Sequence, residues 1–375
     1  MRAALFASAF LFASCGAAAQ APQPPQIAAH AFLVSDLTSG QVLAQHKAEE
    51  RIEPASLTKL MTAYLVFNAM HEGRITPAQQ VQISATARQA RGSRTFLEAG
   101  SRVSVDTLVR GMVVQSGNDA CVALAEALAG SEEQFAQLMN REAARLGMRN
   151  SHFMNATGLP HAQHYSTASD LALLAAALIR DFPEDYARYY TLKEFRHNDI
   201  TQMNRNRLLW LDPSVDGVKT GFTEGAGYCL IASSERGGRR LLSVLLGADS
   251  DAARARESQK LLNWGYQFFD GVRLYEPGQA VKSVHVWKGA NQTVRAGFER
   301  GLVVTVPKGE AKNLAAELLT HPPVLAPVQK GDKVGVLRVA LAGQPLGEYP
   351  VVALESVPQA GIVGRAWDTL RLWLK

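Results

Sequence analysis

Three short motifs, separated by long stretches of chain, carry side chains suited to one kind of chemistry. They are Ser56-Leu-Thr-Lys59, Ser116-Gly-Asn118 and Lys219-Thr-Gly221, in that order. Alone, a Ser-x-x-Lys or Ser-x-Asn pattern is expected about once by chance in a chain of this length. The ordered set is much rarer, and it requires a fold that brings three distant segments to one place.

The first motif supplies a nucleophile and a base. Lys59 follows Ser56 by one helical turn, so both side chains lie on the same helix face. A serine hydroxyl needs a base to attack at neutral pH, and Lys59 serves only when uncharged. The helix N-terminus, burial and nearby Lys219 all favour that form. The alternative is that Ser56 merely caps the helix and Lys59 is solvated, which the other two motifs argue against.

The second motif lies between two predicted helices, in a connection that can expose both of its polar side chains. Ser116 is suited to relay a proton between Lys59 and a leaving group. Asn118 is suited to bind the peptide part of a substrate and to hold Lys59 in place. A cap for the following helix is an alternative that is compatible with both roles.

The third motif follows a turn signal and starts a strand. Lys219 offers a point charge for a carboxylate, and Thr220 adds a hydroxyl. Gly221 allows a substrate to approach the strand closely. The backbone N–H groups of Ser56 and Phe222 are the natural pair to stabilise a developing oxyanion.

The first 19 residues have the pattern of a secretory signal peptide. Arg2 supplies a positive start, Ala3–Ala13 an apolar stretch too short to span a bilayer permanently, and Ala17-Ala18-Ala19 a small-residue cleavage site. Ala13-Ser14-Cys15 offers an alternative, because it resembles the end of a lipoprotein cleavage box. Phe12 stands where leucine is usual in such a box, so we expect cleavage after residue 19 and export.

Two cysteines, Cys121 and Cys229, remain in the exported chain, each in an apolar segment. Two cysteines make no disulfide framework, and we expect buried free thiols. The net charge of +5 suits an anionic envelope surface. No Lys/Arg run with interleaved aromatic residues indicates nucleic-acid binding, so no nucleic-acid partner is expected.

Apolar periodicity predicts a β-hairpin, then a block of helices, then three strands and a last helix before residue 270. The hairpin strands are at 31–34 and 41–44, and the later strands at 218–223, 227–233 and 239–247. The helices are at 56–70, 104–114, 119–129, 131–146, 168–180 and 252–269. The last two strands are continuous apolar runs, typical of strands covered on both faces. This order predicts an α+β domain in which helices pack on an antiparallel sheet built from both ends of the segment.

The pattern changes after Asp270. Short strands separated by Gly, Pro and charged turns predict a small all-β domain over residues 274–358, without a catalytic cluster; the strands are at 281–287, 293–296, 301–306, 333–340 and 348–354. The last segment, residues 359–375, includes an amphipathic helix with two tryptophans on its apolar face. Such a helix is typical of a membrane interface, and docking on the β domain is the alternative.

Residues 28–270 resemble the D-alanyl-D-alanine carboxypeptidases among the low-molecular-mass penicillin-binding proteins, which predicts a catalytic domain over residues 28–273. The similarity extends to the β domain and the tail, so it covers nearly the whole exported chain. The segments that carry it are ASLTKLMTAY from Ala55, SGNDACVALAE from Ser116, NRNRLLW from Asn204, VDGVKTG from Val215 and ESQKLLNWGYQFFD from Glu257.

The resemblance implies a β-lactamase/transpeptidase-like fold and a serine-type carboxypeptidase without a cofactor. Such an enzyme removes the terminal D-alanine of peptidoglycan stem pentapeptides through an acyl-enzyme on Ser56, and β-lactams acylate the same serine. It also implies the catalytic roles given above for Lys59, Ser116, Asn118 and Lys219. A tail-anchored enzyme of this kind belongs at the periplasmic face of the inner membrane.

Arg205 and Arg254 match positions that the family uses near the substrate carboxylate, with surface salt bridges as the alternative. Phe222 stands where some relatives carry histidine, which leaves its backbone role unchanged but affects rate or substrate preference. His161 and His164 lack an evident third ligand, so we expect turn and surface histidines and no metal.

Other functions on the same fold stay open. A class A β-lactamase needs an added glutamate for deacylation, and residues 161–170 contain none. Endopeptidase or transpeptidase activity on cross-links remains an alternative. A further alternative is a non-catalytic relative that only binds peptidoglycan. The intact pair of Ser56 and Lys59 argues against it.

Overall fold

An antiparallel sheet and a block of helices form the first part of the protein. The computed structural model describes residues 22–320 and 323–373. The chain divides into a unit over Pro24–Gly271 and a second unit that begins at Val272. The predicted signal segment, which includes Cys15, lies outside the described residues.

The predicted strands and helices of the first unit occur in the predicted order, together with shorter elements that the sequence analysis did not predict. Its strands are β1 (Ala31–Asp36), β2 (Gln41–His46), β3 (Gln80–Gln82), β4 (Arg102–Ser104), β5 (Glu194–His197), β6 (Ile200–Met203), β7 (Val215–Thr223), β8 (Gly227–Arg236) and β9 (Arg239–Ala248). Its helices are α1 (Lys59–His71), α2 (Ala85–Gln89), α3 (Val105–Arg110), α4 (Asn118–Ala129), α5 (Glu132–Leu146), α6 (Ala168–Asp181), α7 (Pro183–Tyr190), α8 (Leu208–Leu211) and α9 (Asp251–Phe268).

The main sheet has the strand order β2-β1-β9-β8-β7, with every neighbouring pair antiparallel. The N-terminal hairpin therefore pairs with strands from the end of the unit, as predicted. β3 with β4, and β5 with β6, form separate two-stranded pairs. Because β7 is the last strand in the order, one of its edges is free to face the segment that carries Ser56.

Helices cover both faces of the sheet, which explains the continuous apolar run of β9. Leu242 and Val244 pack into the large cluster that contains side chains of α1, α4 and α6. Leu241 and Leu245 point to the other face, where they join clusters that include residues of α9. Alternate residues of one strand thus enter two separate apolar layers, and the prediction of burial on both faces is confirmed.

The central helix α1 is surrounded by protein. Its side chains from Lys59 to Phe67 are all buried, and its apolar residues show almost no preference for one face. A helix of this kind belongs in the middle of a core. The first motif lies at the N-terminal end of this helix, next to the edge strand β7.

The second unit is a small all-β domain. Its strands are β10 (Phe269–Tyr275), β11 (Ala280–Trp287), β12 (Thr293–Gly297), β13 (Leu302–Pro307), β14 (Leu314–Thr320), β15 (Val324–Leu325), β16 (Lys333–Leu341) and β17 (Gln344–Ala353). One sheet has the order β14-β16-β17-β12-β11-β15, and β10 pairs with β13. An apolar cluster of its own, which includes Val294, Val304, Val339 and Val351, fills the interior.

The second unit ends in a helix, α10 (Ile362–Trp373), whose described side chains include none that is buried. Its apolar residues are half to almost fully exposed: Ile362, Val363, Trp367, Leu370 and Trp373. The Asp368 carboxylate accepts a hydrogen bond from the Lys288 backbone N–H at 2.6 Å, so the polar side of the helix makes a contact. Within the described residues, no helix combines the length and the apolar content needed to cross a bilayer.

Two local predictions differ from the structure. The predicted helix over 104–114 is α-helical only to Arg110, and Gly111–Gln115 form a π-helical turn. The sequence also failed to predict β14, whose Leu-Ala-Ala-Glu-Leu-Leu-Thr run lacks alternation and is rich in helix formers. Pairing with β16 along the whole strand stabilises the extended form there.

Candidate active site

A cavity of about 760 Å3 lies at β7 and combines residues of all three motifs. The motif residues that line it are Ser56, Ser116, Asn118, Thr220 and Gly221. The two motif lysines are not in this lining, and both are buried, with Lys59 1% and Lys219 3% exposed. The distant segments therefore converge as the sequence analysis requires.

Ser56 and Lys59 are in direct contact. Ser56 lies in the 3₁₀ turn Ala55–Thr58, which leads into α1. Lys59 Nζ donates a hydrogen bond to Ser56 Oγ at 2.8 Å and another to the Thr157 carbonyl at 2.6 Å. Neither the turn nor α1 has a side-chain cap at its start. A capping Ser56 and a solvated Lys59, the alternatives raised above, are both wrong.

Burial lowers the pKa of Lys59 from 10.5 to about 8. The neighbouring Arg205 guanidinium contributes to this lowering of the pKa, because two cations repel each other. A useful fraction of the amine is therefore uncharged near neutral pH, as a general base requires.

The second motif follows the π-helical turn, where Ser116 adopts a left-handed backbone conformation with φ of +65°. Its Oγ is buried and has no hydrogen-bond partner in the described structure. A buried hydroxyl without a partner is costly unless a ligand or a proton transfer uses it. Gly117, at the N-cap of α4, has no side-chain cap bond, so a capping role for this motif is not observed.

Asn118 does not hold Lys59 directly, contrary to the expectation from sequence. Its side-chain amide donates to the Arg91 carbonyl at 2.5 Å, and its backbone N–H donates to the Ser93 carbonyl at 2.7 Å. The Thr157 carbonyl contacts the lysine instead. The Asn118 Oδ1 atom is left without a partner at the cavity, where it is available to a ligand N–H.

The 91–97 loop is tied to the second motif by Asp119. The Asp119 carboxylate accepts from the backbone N–H of Thr95 at 2.8 Å, of Leu97 at 3.1 Å and of Ala120 at 2.9 Å. It also lies in the first turn of α4, where the helix dipole favours a negative charge. Sequence reasoning missed this residue, although an acidic residue at a helix start is a recognisable signal.

The third motif lies on β7. Lys219 Nζ donates to the Thr220 carbonyl at 3.0 Å. Burial, with Lys59 and Arg205 as further causes, lowers the pKa of Lys219 well below its ordinary value. A bound carboxylate would oppose this effect and favour the charged lysine.

Gly221 lines the cavity and lies close to the turn that carries Ser56. A side chain at this position would lie 3.2 Å from Ala55 Cβ and 3.3 Å from Leu57 Cγ. These atoms belong to the turn that carries Ser56. The glycine therefore lets β7 approach the nucleophile turn closely, and close approach of substrate at this position stays a prediction.

Arg205 and Arg254 both line the cavity. Arg254 is 5% exposed, donates to the Gly221 carbonyl at 3.1 Å and pairs with Asp251, so it is not a surface salt-bridge residue. Burial lowers the pKa of the Arg205 guanidinium. Two cations thus face the same cavity next to β7, which suits an anionic ligand.

His164 was expected at a turn or on the surface: its backbone N–H closes a turn on the His161 carbonyl at 2.8 Å, but its side chain is not at the surface. It is 3% exposed, and burial lowers its pKa to about 4. Its Nδ1 accepts from the Met154 N–H at 3.4 Å, so its Nε2 carries the proton and donates to Thr58 Oγ1 at 2.9 Å. The histidine thus connects the nucleophile turn to the segment that supplies the Thr157 carbonyl.

The other groups considered from sequence are possible metal ligands and the two cysteines. Across residues 22–320 and 323–373, no cluster of three or more His, Cys, Asp or Glu could hold a metal ion. Cys121 and Cys229 are buried free thiols, as predicted. Burial raises the pKa of Cys121 to about 12 and of Cys229 to about 11, so neither forms a thiolate at neutral pH.

Comparison with known proteins agrees with this geometry. A family model described as D-alanyl-D-alanine carboxypeptidase matches residues 18–250, and one described as the C-terminal domain of penicillin-binding protein 5 matches residues 269–359. The chain belongs to the D-alanyl-D-alanine carboxypeptidase family. This carboxypeptidase is 45% identical to D-alanyl-D-alanine carboxypeptidase DacC of Escherichia coli, over 96% of this chain and 92% of the relative. It is 41% identical to DacA of the same organism, over 94% and 89% of the two chains.

Solved structures give the same result. The carboxypeptidase matches penicillin-binding protein 5 of Haemophilus influenzae with a TM-score of 0.84 and 37% identity, over 90% of this chain and all of that one. It matches penicillin-binding protein D2 of Listeria monocytogenes, in an ampicillin-bound form, with a TM-score of 0.57 and 31% identity, over 64% and 98% of the chains. The predicted α+β fold with a C-terminal all-β domain is confirmed.

Proposed function

We propose that Ser56 is the nucleophile of this carboxypeptidase and that Lys59 is its general base. The observation that carries the proposal is the 2.8 Å contact between Lys59 Nζ and Ser56 Oγ, made by an amine whose pKa burial lowers to about 8. The uncharged amine takes the hydroxyl proton as Oγ attacks the carbonyl carbon of the scissile peptide bond.

The attack places a negative charge on the carbonyl oxygen. The backbone N–H groups of Ser56 and Phe222 stabilise this oxyanion, because β7 is an edge strand whose free edge faces the nucleophile turn. Ser116 then relays the proton from Lys59 to the leaving amine, and its buried, unpartnered hydroxyl supports that role. Water attacks the acyl-enzyme in the second half of the reaction and releases the shortened peptide.

The substrate is a peptidoglycan stem pentapeptide that ends in D-alanyl-D-alanine. Its terminal carboxylate binds to Arg254 and Arg205, which line the cavity, with Lys219 buried nearby and the Thr220 hydroxyl as a further donor. Asn118 binds the peptide backbone through its unpartnered Oδ1. The excess of cations over anions at β7 supports this orientation, with the leaving D-alanine next to the arginines.

β-Lactams react with the same serine. Their strained amide carbonyl enters the position of the scissile peptide bond, and their carboxylate enters the position of the substrate carboxylate. The ampicillin-bound structure of the Listeria relative supports this reading.

The test compares the full chain with its Ser56→Ala variant. The native enzyme releases D-alanine from a pentapeptide and binds fluorescent penicillin covalently, whereas Ser56→Ala does neither although it keeps its thermal unfolding midpoint. Covalent labelling or D-alanine release by the variant would refute the assignment. Faster turnover of a cephalosporin than of the pentapeptide would point to a β-lactamase instead.

We also propose that the enzyme is exported and that α10 attaches it to the periplasmic face of the inner membrane. The signal pattern at the N-terminus supports export. The exposed apolar side chains of α10, opposite Arg365, Asp368 and Arg371, support an interfacial helix. Two exposed tryptophans, Trp367 and Trp373, suit the boundary between acyl chains and headgroups.

Fractionation of cells tests the anchor. The double variant Trp367→Ser/Trp373→Ser is expected in the soluble fraction with unchanged peptide cleavage, while Asp368→Asn, on the polar side, stays with the membranes. If the double variant and a chain that ends at Ala360 both remain membrane-bound, the anchor lies elsewhere. The mass of the mature N-terminus would then show whether Cys15 carries a lipid.

A further inference from the structure

Phe222 presents an aromatic ring to the catalytic cavity. It follows the Lys-Thr-Gly motif on β7, and 49% of its surface is exposed, which is unusual for a large apolar side chain in an otherwise buried strand. Its ring packs on the Tyr228 ring with a centroid distance of 4.4 Å. We refer to these two rings as the aromatic pair.

The aromatic pair lies between two cavities. Both rings line the catalytic cavity, and both also line a second cavity of about 550 Å3. The second cavity is also lined by Gly227 and Gly247, and a Cβ at Gly227 would lie only 3.1 Å from the Gly247 Cα. The pair is thus a shared wall between the reaction site and additional space beyond it.

If the proposed function holds, the leaving residue of the substrate lies next to the aromatic pair. The Arg254 guanidinium carbon lies 5.5 Å from the centre of the Tyr228 ring, and Arg254 is proposed to bind the terminal carboxylate. The amino acid that carries this carboxylate is the one that leaves. Its side chain is attached to the same Cα atom as this carboxylate, so it lies close to Arg254 and within reach of the aromatic pair.

We propose that the Phe222 side chain limits the size of the leaving D-amino acid and so selects D-alanine. A methyl group needs little space beside the ring, whereas a longer side chain requires the volume that the ring occupies. Removal of the ring opens a passage into the second cavity. Glu224 and Asp249 line that cavity, so the leaving groups that it accepts are neutral rather than anionic.

The test measures kcat/KM for two blocked peptides that differ only in the last residue, D-alanyl-D-alanine and D-alanyl-D-leucine. The native enzyme prefers D-alanine, and Phe222→Ala reduces that preference at least about tenfold, the lower end of the usual effect of one methylene group in an apolar site. Phe222→Trp, which fills more space, increases the preference. Met203→Ala removes another exposed apolar side chain of the same cavity and leaves the preference unchanged.

Two outcomes would overturn the proposal. The first is a preference in Phe222→Ala and Phe222→Trp equal to that of the native enzyme, while fluorescent penicillin still labels Ser56 in all three proteins. The second is an equal change of preference in Met203→Ala, which would show a general effect of the cavity lining. Penicillin labelling that does not depend on Ser56 would instead refute the proposed function, so the two failures are distinguishable. If Phe222→Ala does not fold, Phe222→Trp alone decides by the direction of its change.

Discussion

Burial gives the Lys59 amine a chemical property that a solvated lysine lacks. It is held by two acceptors, Ser56 Oγ and the Thr157 carbonyl, and neither is negatively charged. Desolvation of the ammonium form outweighs the opposing effect of the Glu132 and Asp119 charges and lowers the pKa of Lys59 to about 8. Burial of Lys59 costs desolvation free energy. In return, it places an amine that can act as a base next to the nucleophile.

The first prediction is a pH dependence of acylation. Below a pKa of about 8 the amine is protonated and cannot accept the Ser56 proton, so the acylation rate falls about tenfold per pH unit. Above that pKa the rate becomes constant. Stopped-flow measurement with a chromogenic β-lactam between pH 6 and 9 checks this, and a flat profile would contradict a lysine base. Lys59→Arg, which stays protonated throughout, is expected to be inactive.

His164 supports a second prediction at this scale. Replacement by leucine removes a buried partner from Thr58 and from the Met154 N–H, which lowers the free energy of unfolding by about 1–3 kcal/mol. It also loosens the segment that holds Lys59, so the acylation profile shifts along the pH axis. His164→Gln keeps a donor for Thr58 and is expected to retain most of both properties. Equal loss in the two variants would show that only ring packing matters.

The motif residues could be predicted from sequence, and their supporting partners could not. Ser56 and Lys59 are three residues apart on a helix, so local geometry alone predicts their contact. Thr157 is 98 residues from Lys59, and it contributes a backbone carbonyl, for which no side-chain signal exists. His164 lies 106 residues from its partner Thr58, and only tertiary packing makes it a buried residue.

Among the elements, the 91–97 loop and the start of α4 behave as one structure. The Asp119 carboxylate accepts three backbone N–H groups from these segments, and Asn118 adds its bonds to Arg91 and Ser93. The Thr95 side chain fills the space at Gly111 and Gly117, where an added Cβ would lie within 2.3 Å of its Oγ1. The geometry of the second motif therefore depends on this loop.

Asp119→Ala tests that dependence. It leaves the buried N–H groups of Thr95, Leu97 and Ala120 without their acceptor, and we expect a loss of about 2–4 kcal/mol in the free energy of unfolding. Asp119→Asn keeps one acceptor oxygen and loses less. Urea denaturation followed by circular dichroism measures both. A loss below about 0.5 kcal/mol in Asp119→Ala would show that the loop is held by other contacts.

Sequence patterns predicted the long elements better than the short ones. Strands β8 and β9 have continuous apolar runs, and α1 is apolar on all sides, so both patterns reflect the burial that is observed. The π-helical turn before Ser116 and the hairpin of β5 and β6 lack such patterns. They depend on contacts with distant segments, such as the bond from Gln202 to the Arg94 carbonyl.

At the level of the whole molecule, each of the two units has its own apolar interior. The clusters that surround the catalytic residues contain only residues of the first unit, and the cluster of the β domain contains only residues beyond Val272. The order of elements, hairpin first and its partner strands last, predicted the main sheet of the first unit correctly. A unit with a complete interior is expected to fold independently.

Truncation tests that independence. A chain of residues 20–271 is expected to unfold cooperatively and to bind fluorescent penicillin at Ser56, and it should be absent from membranes because it lacks α10. Size-exclusion chromatography, thermal unfolding and labelling check the three properties. An aggregated or unlabelled fragment would show that the β domain is required for folding of the catalytic unit.

Mapping of the covalent adduct tests the central claim most directly. Trypsin cleaves after Arg51 and Lys59, so Ser56 lies in the peptide Ile52–Lys59, where Thr58 is the only other hydroxyl. After reaction with benzylpenicillin, fragmentation of this peptide is predicted to show the penicilloyl group on Ser56. An adduct on any other residue, or an unmodified Ile52–Lys59 peptide from fully inhibited enzyme, would contradict the account.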